Sequence, residues 1–380
     1  MISQGDWASR IEPQPMFDIL SKANQREAEG HYVARMEIGD TPGFYNSTIH
    51  ELLNKYSIEP MRYSPSNGEP SLIDAVFEAE WPQYADCQYE VSIAPANFLI
   101  TAALAAITAP GDLVLIPDPG FPTYKLACNF LGLQTESYSL YPNPKSSFPS
   151  FDEYNHGAKK PKAIIVNNPS NPMGIAFDGD QVLKAIAPLI HSGVKVILDE
   201  TYVNLVYDGT NSIIDFPDAI RIRTFSKQHC APGLRIGYAL AIREYSKTIS
   251  NFISLTISCA PKFLQLAVAE YLQSDSSYLF QEHIHKVMRY RFSELARILP
   301  KDALLTRPNA AFYSLIHTGD AENSFNFFLH NNVATCPGSR FGNSSKESLR
   351  VSIAGKSENF ERDLNLLKMA QEAWSNKESD

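Results

Sequence analysis

Short apolar segments recur between about residue 90 and residue 245 and alternate with stretches of helical periodicity. The segments are Leu113–Ile116, Ala163–Val166, Val194–Leu198, Ile220–Thr224 and Ile236–Ala241. Most are apolar at both odd and even positions, which is typical of strands covered on both faces. Ile220–Thr224 is the exception, because Arg221 and Arg223 share one side of it. Strands of this kind, separated by helices, predict an α/β fold with a mostly parallel sheet.

The pattern changes after about residue 262, where a long helical stretch runs to about residue 299. Shorter strands are predicted at Ala311–Ile316, Val333–Cys336 and Leu349–Ile353, followed by a helix over about 357–374. A chain of 380 residues is long for one core and suits two packed domains. We expect a large domain at residues 46–262, and a smaller α+β domain built from residues 1–45 and 263–380.

Charge and cysteine content exclude several classes of protein. The chain has 33 Lys and Arg against 42 Asp and Glu, so it has no general attraction for nucleic acids or anionic membranes. Its 5 cysteines are scattered, which argues against a disulfide framework or a zinc site and fits a reducing compartment. The chain has neither a signal-peptide pattern nor a run of about 18 apolar residues. We expect a cytoplasmic protein that binds neither nucleic acid nor membrane and needs no metal.

Polar residues gather where the predicted strands end, which is where ligands bind in open α/β sheets. Asn167–Gly174 follows one strand, and its two Asn-Pro pairs predict a rigid turn that projects Asn171. An ordinary loop would also explain this segment. Asp199 ends another strand, where a buried acid is costly unless a cation faces it, although a helix N-cap is the alternative.

Two further segments carry basic residues. Lys227 follows a strand, and Thr224, Ser226 and Arg235 around it offer two hydroxyls and a guanidinium that suit a phosphate. A lysine that simply reaches solvent is the plain alternative. Arg350 lies in a mostly apolar strand and is interpreted either as a clamp for a carboxylate or as a surface arginine.

Together, these segments resemble the class I/II aminotransferases, which are pyridoxal-phosphate enzymes of fold type I. Asn171, Asp199, Lys227 and Arg235 follow one another at intervals of 28, 28 and 8 residues, much as in that family. Further matching segments are Ile38-Gly39, Tyr63-Ser64-Pro65, Pro110-Gly111-Asp112, Pro117–Tyr124 and Pro337–Gly342. The resemblance covers about residues 38–370 and implies an aspartate-aminotransferase-like architecture, with a large, mostly parallel domain and a smaller α+β domain.

The resemblance also implies roles for the central residues, with pyridoxal 5'-phosphate as the cofactor. Lys227 matches the lysine that holds the cofactor as a Schiff base and then moves the substrate proton. Asp199 matches the acid that keeps the pyridine nitrogen protonated. Asn171 and Tyr202 match the groups that hydrogen-bond the cofactor O3′.

Other matches concern the cofactor ring, its phosphate and the substrate. Phe121 matches the aromatic residue that stacks on the ring, with Tyr124 as a nearby competitor. Arg350 and Gly39 are expected at the substrate, where Arg350 would bind the α-carboxylate together with Asn171. The phosphate would be bound by Thr224, Arg235, Asn97 and the backbone of Ala96. Tyr63 matches a tyrosine that reaches the phosphate of the neighbouring subunit, which implies a homodimer with shared active sites.

The function implied is transfer of an amino group from an L-amino acid to a 2-oxo acid by a ping-pong mechanism. Another reaction with the same cofactor (a lyase, cyclase or oxidase acting on an amino acid) is the alternative, because one fold supports several chemistries. A cofactor-binding regulator is a third possibility, which the non-basic N-terminal segment disfavours.

Some positions depart from the family pattern or were discounted. Pro95 replaces a glycine before the phosphate-binding helix, Met173 replaces a threonine, and residues 309–312 replace a Gly-rich turn. His229 is interpreted as a loop histidine rather than an acid or base of the site. The side chain of the substrate is expected to be selected by residues 1–45, residues 250–262 and the partner subunit.

Overall fold

The computed structural model describes residues 8–58, 60, 62–82, 88–140, 148–151, 160–300 and 303–379. Within these ranges, the α-helices are α1 Met16–Ala28, α2 Ser47–Tyr56, α3 Pro70–Glu80, α4 Ala96–Ile107, α5 Thr123–Phe130, α6 Gly179–His191, α7 Phe225–Gln228, α8 Arg243–Thr256, α9 Lys262–Leu272, α10 Asp275–Ile298, α11 Ala321–His330 and α12 Phe360–Ser379. The strands are β1 Ala34–Arg35, β2 Tyr89–Ala94, β3 Leu113–Asp118, β4 Gln134–Ser139, β5 Ala163–Asn167, β6 Lys195–Asp199, β7 Ile220–Thr224, β8 Gly237–Ile242, β9 Tyr313–His317, β10 Val333–Ala334, β11 Cys336–Pro337 and β12 Ser348–Ser352.

A seven-stranded sheet with the order β2-β8-β7-β6-β5-β3-β4 forms the centre of the molecule. Strands β7, β6, β5, β3 and β4 are parallel, whereas β8 runs antiparallel to both β2 and β7. All five apolar segments of the sequence are strands of this sheet, so the prediction of a mostly parallel α/β sheet is confirmed. The last of the five, β8, is the one that runs against the others.

Helices cover both faces of this sheet, which explains why its strands are apolar at odd and even positions alike. On one face, Ile197 and Ile222 pack in a core cluster with Ile100 of α4 and Ile249 of α8. On the other face, Val196 packs in a cluster with residues of α6. Helices α3 and α9 join β2 and β8 in a third cluster.

A second group of strands follows in the C-terminal third of the chain. Strands β11, β12 and β9 form an antiparallel sheet, and the short β1 pairs in parallel with β10. The predicted strand Val333–Cys336 is therefore two strands, because β10 and β11 pair with different partners. The predicted long helix is also two helices, α9 and α10, since Ser274 between them has an extended backbone.

The N-terminal segment packs against this C-terminal third. Ile19 of α1 and Ala34 of β1 belong to the same hydrophobic cluster as residues of α10, α11 and α12. None of the helices in the described ranges is long and apolar enough to cross a membrane. Four of the cysteines lie in those ranges and are free, while Cys87 lies outside them.

Candidate active site

A cavity of about 560 Å³ lies at the carboxyl ends of β5, β6 and β7. Eleven of the twelve site residues predicted from the sequence line it: Gly39, Ala96, Asn97, Phe121, Asn171, Asp199, Tyr202, Thr224, Lys227, Arg235 and Arg350. The twelfth, Tyr63, does not line the cavity, and 86% of its surface is exposed. Residues from seven separate stretches of sequence thus meet at one place, at the edge of the sheet where its parallel strands end.

Lys227 enters the cavity from α7, a single turn that follows directly on β7. Thr224 caps this turn, because its side chain accepts a hydrogen bond from the backbone N–H of Ser226. The Lys227 Nζ donates a hydrogen bond to the carbonyl of Gly39. A Cβ at Gly39 would lie only 1.8 Å from the Tyr313 hydroxyl, so a side chain there does not fit. The amine is therefore held half-buried at the cavity wall.

Asp199 ends β6 with 4% of its surface exposed. Its Oδ1 accepts hydrogen bonds from the backbone N–H and the hydroxyl of Thr201, and its Oδ2 accepts one from the Tyr124 hydroxyl at 2.6 Å. Burial raises the pKa of the Asp199 carboxyl, while the bonds from Thr201 and Tyr124 act in the opposite direction. The pKa of Asp199 is raised overall, and an opposite charge beside the carboxyl would favour its ionised form, so the position suits a ligand that presents a cationic N–H.

Tyr124 was considered from the sequence as a competitor of Phe121 for stacking on the ring, but in the structure it contacts Asp199. Its ring is 1% exposed and stands nearly perpendicular to Phe121, with the ring centroids 6.0 Å apart. Burial raises the pKa of Tyr124 well above its usual value, which keeps the phenol protonated as a donor to Asp199. Phe121 is the half-buried ring of the two, and it has an aromatic face available to a ligand in the cavity.

An anion-binding corner lies at the start of α4. Pro95 precedes the helix and supplies no side-chain cap, so the first N–H groups, at Ala96 and Asn97, are available to a ligand. The hydroxyls of Thr224 and Ser226 lie 3.0 Å apart at the same end of the cavity. Arg235 reaches this corner and donates a hydrogen bond to the Asn97 amide oxygen at 3.4 Å. Because the helix begins after Pro95, this departure from the family pattern leaves the donors in place.

Arg350 is buried on β12 with its guanidinium aimed at Asn171. Its Nη1 donates to the Asn171 side-chain oxygen at 3.2 Å, and its Nη2 donates to the backbone carbonyl of Glu37 at 2.7 Å. The buried Nε has no hydrogen-bond partner among the described residues. The rings of Tyr313 and Phe341 flank the guanidinium, with their centroids 4.4 and 4.7 Å from its Cζ atom. The guanidinium is thus fixed in place on a residue that lines the cavity, where it suits a ligand carboxylate.

Tyr313 lines the cavity as well, although it was not expected from the sequence. Its hydroxyl lies 3.0 Å from the hydroxyl of Tyr202. Burial raises the pKa of Tyr202 well above its usual value, so this phenol stays protonated and able to donate. Tyr313 comes from β9, 111 residues further along the chain. No local pattern marks it, because the contact depends on how the small sheet packs against the large one.

The N-terminal segment also lines the cavity, as expected for residues 1–45. Gln14, Met16, Phe17 and Ile38 belong to its wall. The Gln14 side chain is held by Thr123, to whose hydroxyl it donates at 2.9 Å. No residue of the segment 250–262 lines the cavity, so that part of the expectation lacks support in this chain.

Two residues singled out in the sequence lie away from the cavity wall. His229 lies in a turn after α7, as predicted, but it is fully buried and stacks on Phe225 with ring centroids 4.8 Å apart. Burial lowers its pKa to about 4, so the imidazole is neutral at ordinary pH. Met173 packs in the core beside α6. Its departure from the family pattern therefore does not alter the wall of the cavity.

Comparisons with known proteins agree with this geometry. The sequence profile described as aminotransferase class I and II matches residues 62–365. A probable aspartate/prephenate aminotransferase of Aquifex aeolicus is 27% identical, over 96% of this chain and 97% of the relative. A (5-formylfuran-3-yl)methyl phosphate transaminase of Methanocaldococcus jannaschii is 29% identical, over 94% of this chain and 96% of the relative.

Solved structures share the fold. An aminotransferase from Mycobacterium tuberculosis superposes with a TM-score of 0.88 at 20% identity, covering 97% of this chain and 99% of that one. A double mutant of the Thermus thermophilus aspartate aminotransferase superposes with a TM-score of 0.86 at 22% identity, covering 97% and 100%. The expected aspartate-aminotransferase-like architecture is thus confirmed. The family profile spans most of the chain, and the protein therefore belongs to the class I and II aminotransferase family.

Proposed function

We propose that this protein is a pyridoxal-phosphate-dependent aminotransferase in which Lys227 is the attachment point of the cofactor. It would transfer the amino group of an L-amino acid to a 2-oxo acid in two half-reactions. One observation carries the proposal: Lys227, Asp199, the anion-binding corner and Arg350 all line the same cavity. Each supplies a group that this chemistry needs.

The donor set of the cavity fits pyridoxal phosphate, whose phosphate, ring, ring nitrogen and aldehyde each require a different partner. The N–H groups of Ala96 and Asn97, the hydroxyl of Thr224 and the guanidinium of Arg235 suit the phosphate. The buried Asp199 carboxylate suits a protonated ring nitrogen, because a buried acid is stabilised by an opposite charge.

The remaining groups suit the rest of the cofactor. Phe121 offers an aromatic face to the ring, Asn171 and Tyr202 offer an amide and a phenol to its oxygen, and Lys227 offers an amine to the aldehyde. When bound, the cofactor supplies a carbonyl carbon that accepts the amino group and a ring that withdraws electrons from the substrate.

Lys227 would also move the substrate proton. A general base must lie within hydrogen-bond reach of the proton that it takes, and an amine on a flexible stem meets that need. The Gly39 carbonyl accepts a hydrogen bond from Nζ and so holds the amine in the cavity. Tyr202 and Tyr313, whose hydroxyls lie 3.0 Å apart, line the same cavity.

Arg350 would bind the α-carboxylate of the amino acid. Its guanidinium is held by Asn171 and by the Glu37 carbonyl, and its Nε has no partner among the residues that the structure describes. A carboxylate bound by this fork would have a fixed orientation, which aligns the bond to the reacting hydrogen.

We also propose a homodimer with shared active sites in the cytoplasm. Tyr63 is exposed and lies outside the cavity of its own chain, which supports a role at the phosphate of the neighbouring subunit. Ile58, 87% exposed, lies nearby in sequence and would be covered by the same contact. The domain boundaries expected from the sequence remain our proposal, supported by the packing of α1 and β1 with the C-terminal third.

A spectroscopic experiment tests the reaction. The purified protein, loaded with pyridoxal phosphate, is mixed with single L-amino acids, and the absorbance of the cofactor is followed. Accumulation of the amine form of the cofactor, reversed by a 2-oxo acid, supports amino-group transfer. Release of ammonia, peroxide or a cyclised product without that form would show that another reaction of this cofactor takes place instead.

The clamp role of Arg350 gives a separate prediction. Arg350→Lys keeps the charge but loses the planar fork, so we expect KM for the amino acid to rise about 10- to 100-fold. The measurement is the saturation of the spectral change by amino acid. Arg243→Lys, at an exposed ion pair with Glu90, is the matched control and should leave KM unchanged. An unchanged KM in Arg350→Lys would rule the clamp out.

A further inference from the structure

Two arginines on one side of β7, which made this strand an exception in the sequence, are almost fully buried. Arg221 and Arg223 expose 2% and 4% of their surface. Both form ion pairs with Glu200, Arg221 through Nη1 and Arg223 through Nε at 2.9 Å. The Nη1 of Arg223 forms another ion pair with Glu80, the last residue of α3. We call Glu200, Arg223 and Glu80 the buried ion-pair chain.

These charges balance one another, but stability alone does not account for them. Burial acts to raise the pKa of Glu80, yet Arg223 beside it lowers that pKa below its usual value, so the pair is ionised. The guanidinium of Arg223 also lies 4.7 Å from the ring of Trp81. Replacing buried ion pairs by apolar side chains of the same volume is often neutral or stabilising. Charges retained in such a place point to a role in fixing one arrangement.

At Glu80, the buried ion-pair chain contacts the side chain of Gln228. Its Nε2 donates to Glu80 Oε1 at 2.9 Å and lies 3.0 Å from the Tyr238 hydroxyl. Its Oε1 accepts from the Asn204 side chain at 3.2 Å. Gln228 is 0% exposed. Its amide is thus bonded at both ends, and a flipped amide would place its oxygen against the carboxylate of Glu80.

The buried ion-pair chain and Gln228 together connect the sequence neighbours of two central residues of the cavity. Glu200 follows Asp199 in the sequence, and Gln228 follows Lys227. Lys227 lies in α7, which has only 4 residues, and a helix this short does not hold its shape without outside contacts. Thr224 fixes the beginning of α7, and Gln228 is its last residue. The bond to Glu80, which pairs with Arg223 and through it with Glu200, therefore links the end of α7 to the residue next to Asp199.

We propose that Gln228, held by the buried ion-pair chain, is a positioning residue for Lys227. It does not line the cavity, and it acts by fixing the Lys227 amine relative to Asp199. This inference rests on the proposed function of Lys227. It extends that function to Glu80 and Arg223, which lie outside the cavity wall.

The test uses Gln228→Met, which keeps the length of the side chain and removes its hydrogen bonds. The holoenzyme is titrated with pH while the absorbance of the bound cofactor is followed, and kcat and KM are measured with one amino acid. We expect the midpoint of the titration to move by about one pH unit. We expect kcat to fall about 10- to 100-fold, as for a small misplacement of a catalytic group, with a much smaller change in KM.

The matched control is Gln371→Met, the same substitution at a buried glutamine of α12 far from the cavity. It should leave the titration and kcat unchanged. An unchanged titration and kcat in Gln228→Met, or equal changes in both variants, would overturn the inference. If Gln228→Met does not yield folded holoenzyme, Glu80→Gln decides by the same two readouts, with the same shifts expected. A wild-type protein that shows no cofactor absorbance linked to Lys227 would instead contradict the proposed function.

Discussion

Lys227→Ala is expected to lower kcat by about four orders of magnitude or more, the scale seen when a residue central to covalent and general-base catalysis is removed. The variant loses both the amine that attaches the cofactor and the base that moves the substrate proton. Because Nζ bonds only the Gly39 carbonyl among the described residues, removal of the amine should cost little stability. The measurement is kcat with saturating amino acid and oxo acid, together with the absorbance of the cofactor after dialysis against amine-free buffer.

A matched control separates this effect from a general loss of lysine charge. Lys247→Ala removes an exposed lysine of α8 and should leave activity and absorbance as they are. Persistence of the imine absorbance in dialysed Lys227→Ala would mean that another amine holds the cofactor. Equal losses in the two variants would point to a cause outside the active site.

Asp199→Asn is expected to lower kcat about 100- to 1,000-fold, the range found when one preorganised electrostatic group is removed from an active site. Asparagine fits the same space but carries no charge to keep a ring nitrogen protonated. The amide oxygen can still accept the hydrogen bonds from Thr201, and the amide nitrogen can donate to the Tyr124 hydroxyl, so the fold should be retained. The measurement is kcat, with thermal unfolding to verify the fold.

The control for this substitution is Asp178→Asn. Asp178 caps α6 by accepting a hydrogen bond from the Gln181 backbone, and asparagine caps helices about as well as aspartate. The same chemical change outside the cavity should therefore alter neither activity nor stability. An Asp199→Asn variant with the kcat of the wild type would show that the carboxylate charge is dispensable.

The strands of the large sheet could be predicted because burial on both faces leaves a local signal. Ile164 and Ile165 are adjacent, yet they pack in clusters on opposite faces, so both positions had to be apolar. The edge strand β4 was missed, because most of its side chains are exposed and polar. Val333–Cys336 was predicted as a single strand, because no local pattern shows that its two halves pair with different strands.

The candidate site was predictable to the extent that its residues adjoin strand ends. Asp199 and Lys227 follow apolar segments directly, and their positions in the chain already indicated a common edge. Tyr313 and the hydrogen bond from Tyr124 to Asp199 had no such signal, since both depend on contacts between distant elements. The burial of His229 had no local signal either, because it depends on contacts with the rings of Phe225 and of the distant Tyr271.

The sequence shows that Arg221 and Arg223 lie on one side of a strand, but only the structure shows which residues they pair with. Two charges on one side of a strand indicate either an exposed face or internal partners, and the sequence did not separate these alternatives. Their partners, Glu200 and Glu80, lie 21 and 143 residues from them. Only the packing of α3 under the sheet brings Glu80 to Arg223, and the link to Gln228 depends on that contact.

The most direct test of this account is to find where the cofactor is attached. The protein loaded with pyridoxal phosphate is reduced with borohydride, digested and analysed by peptide mass spectrometry. The account predicts a pyridoxyl-phosphate mass on Lys227, with the exposed Lys247 unmodified. A label at another lysine, or an unmodified Lys227 in reduced protein that had shown cofactor absorbance, would contradict it.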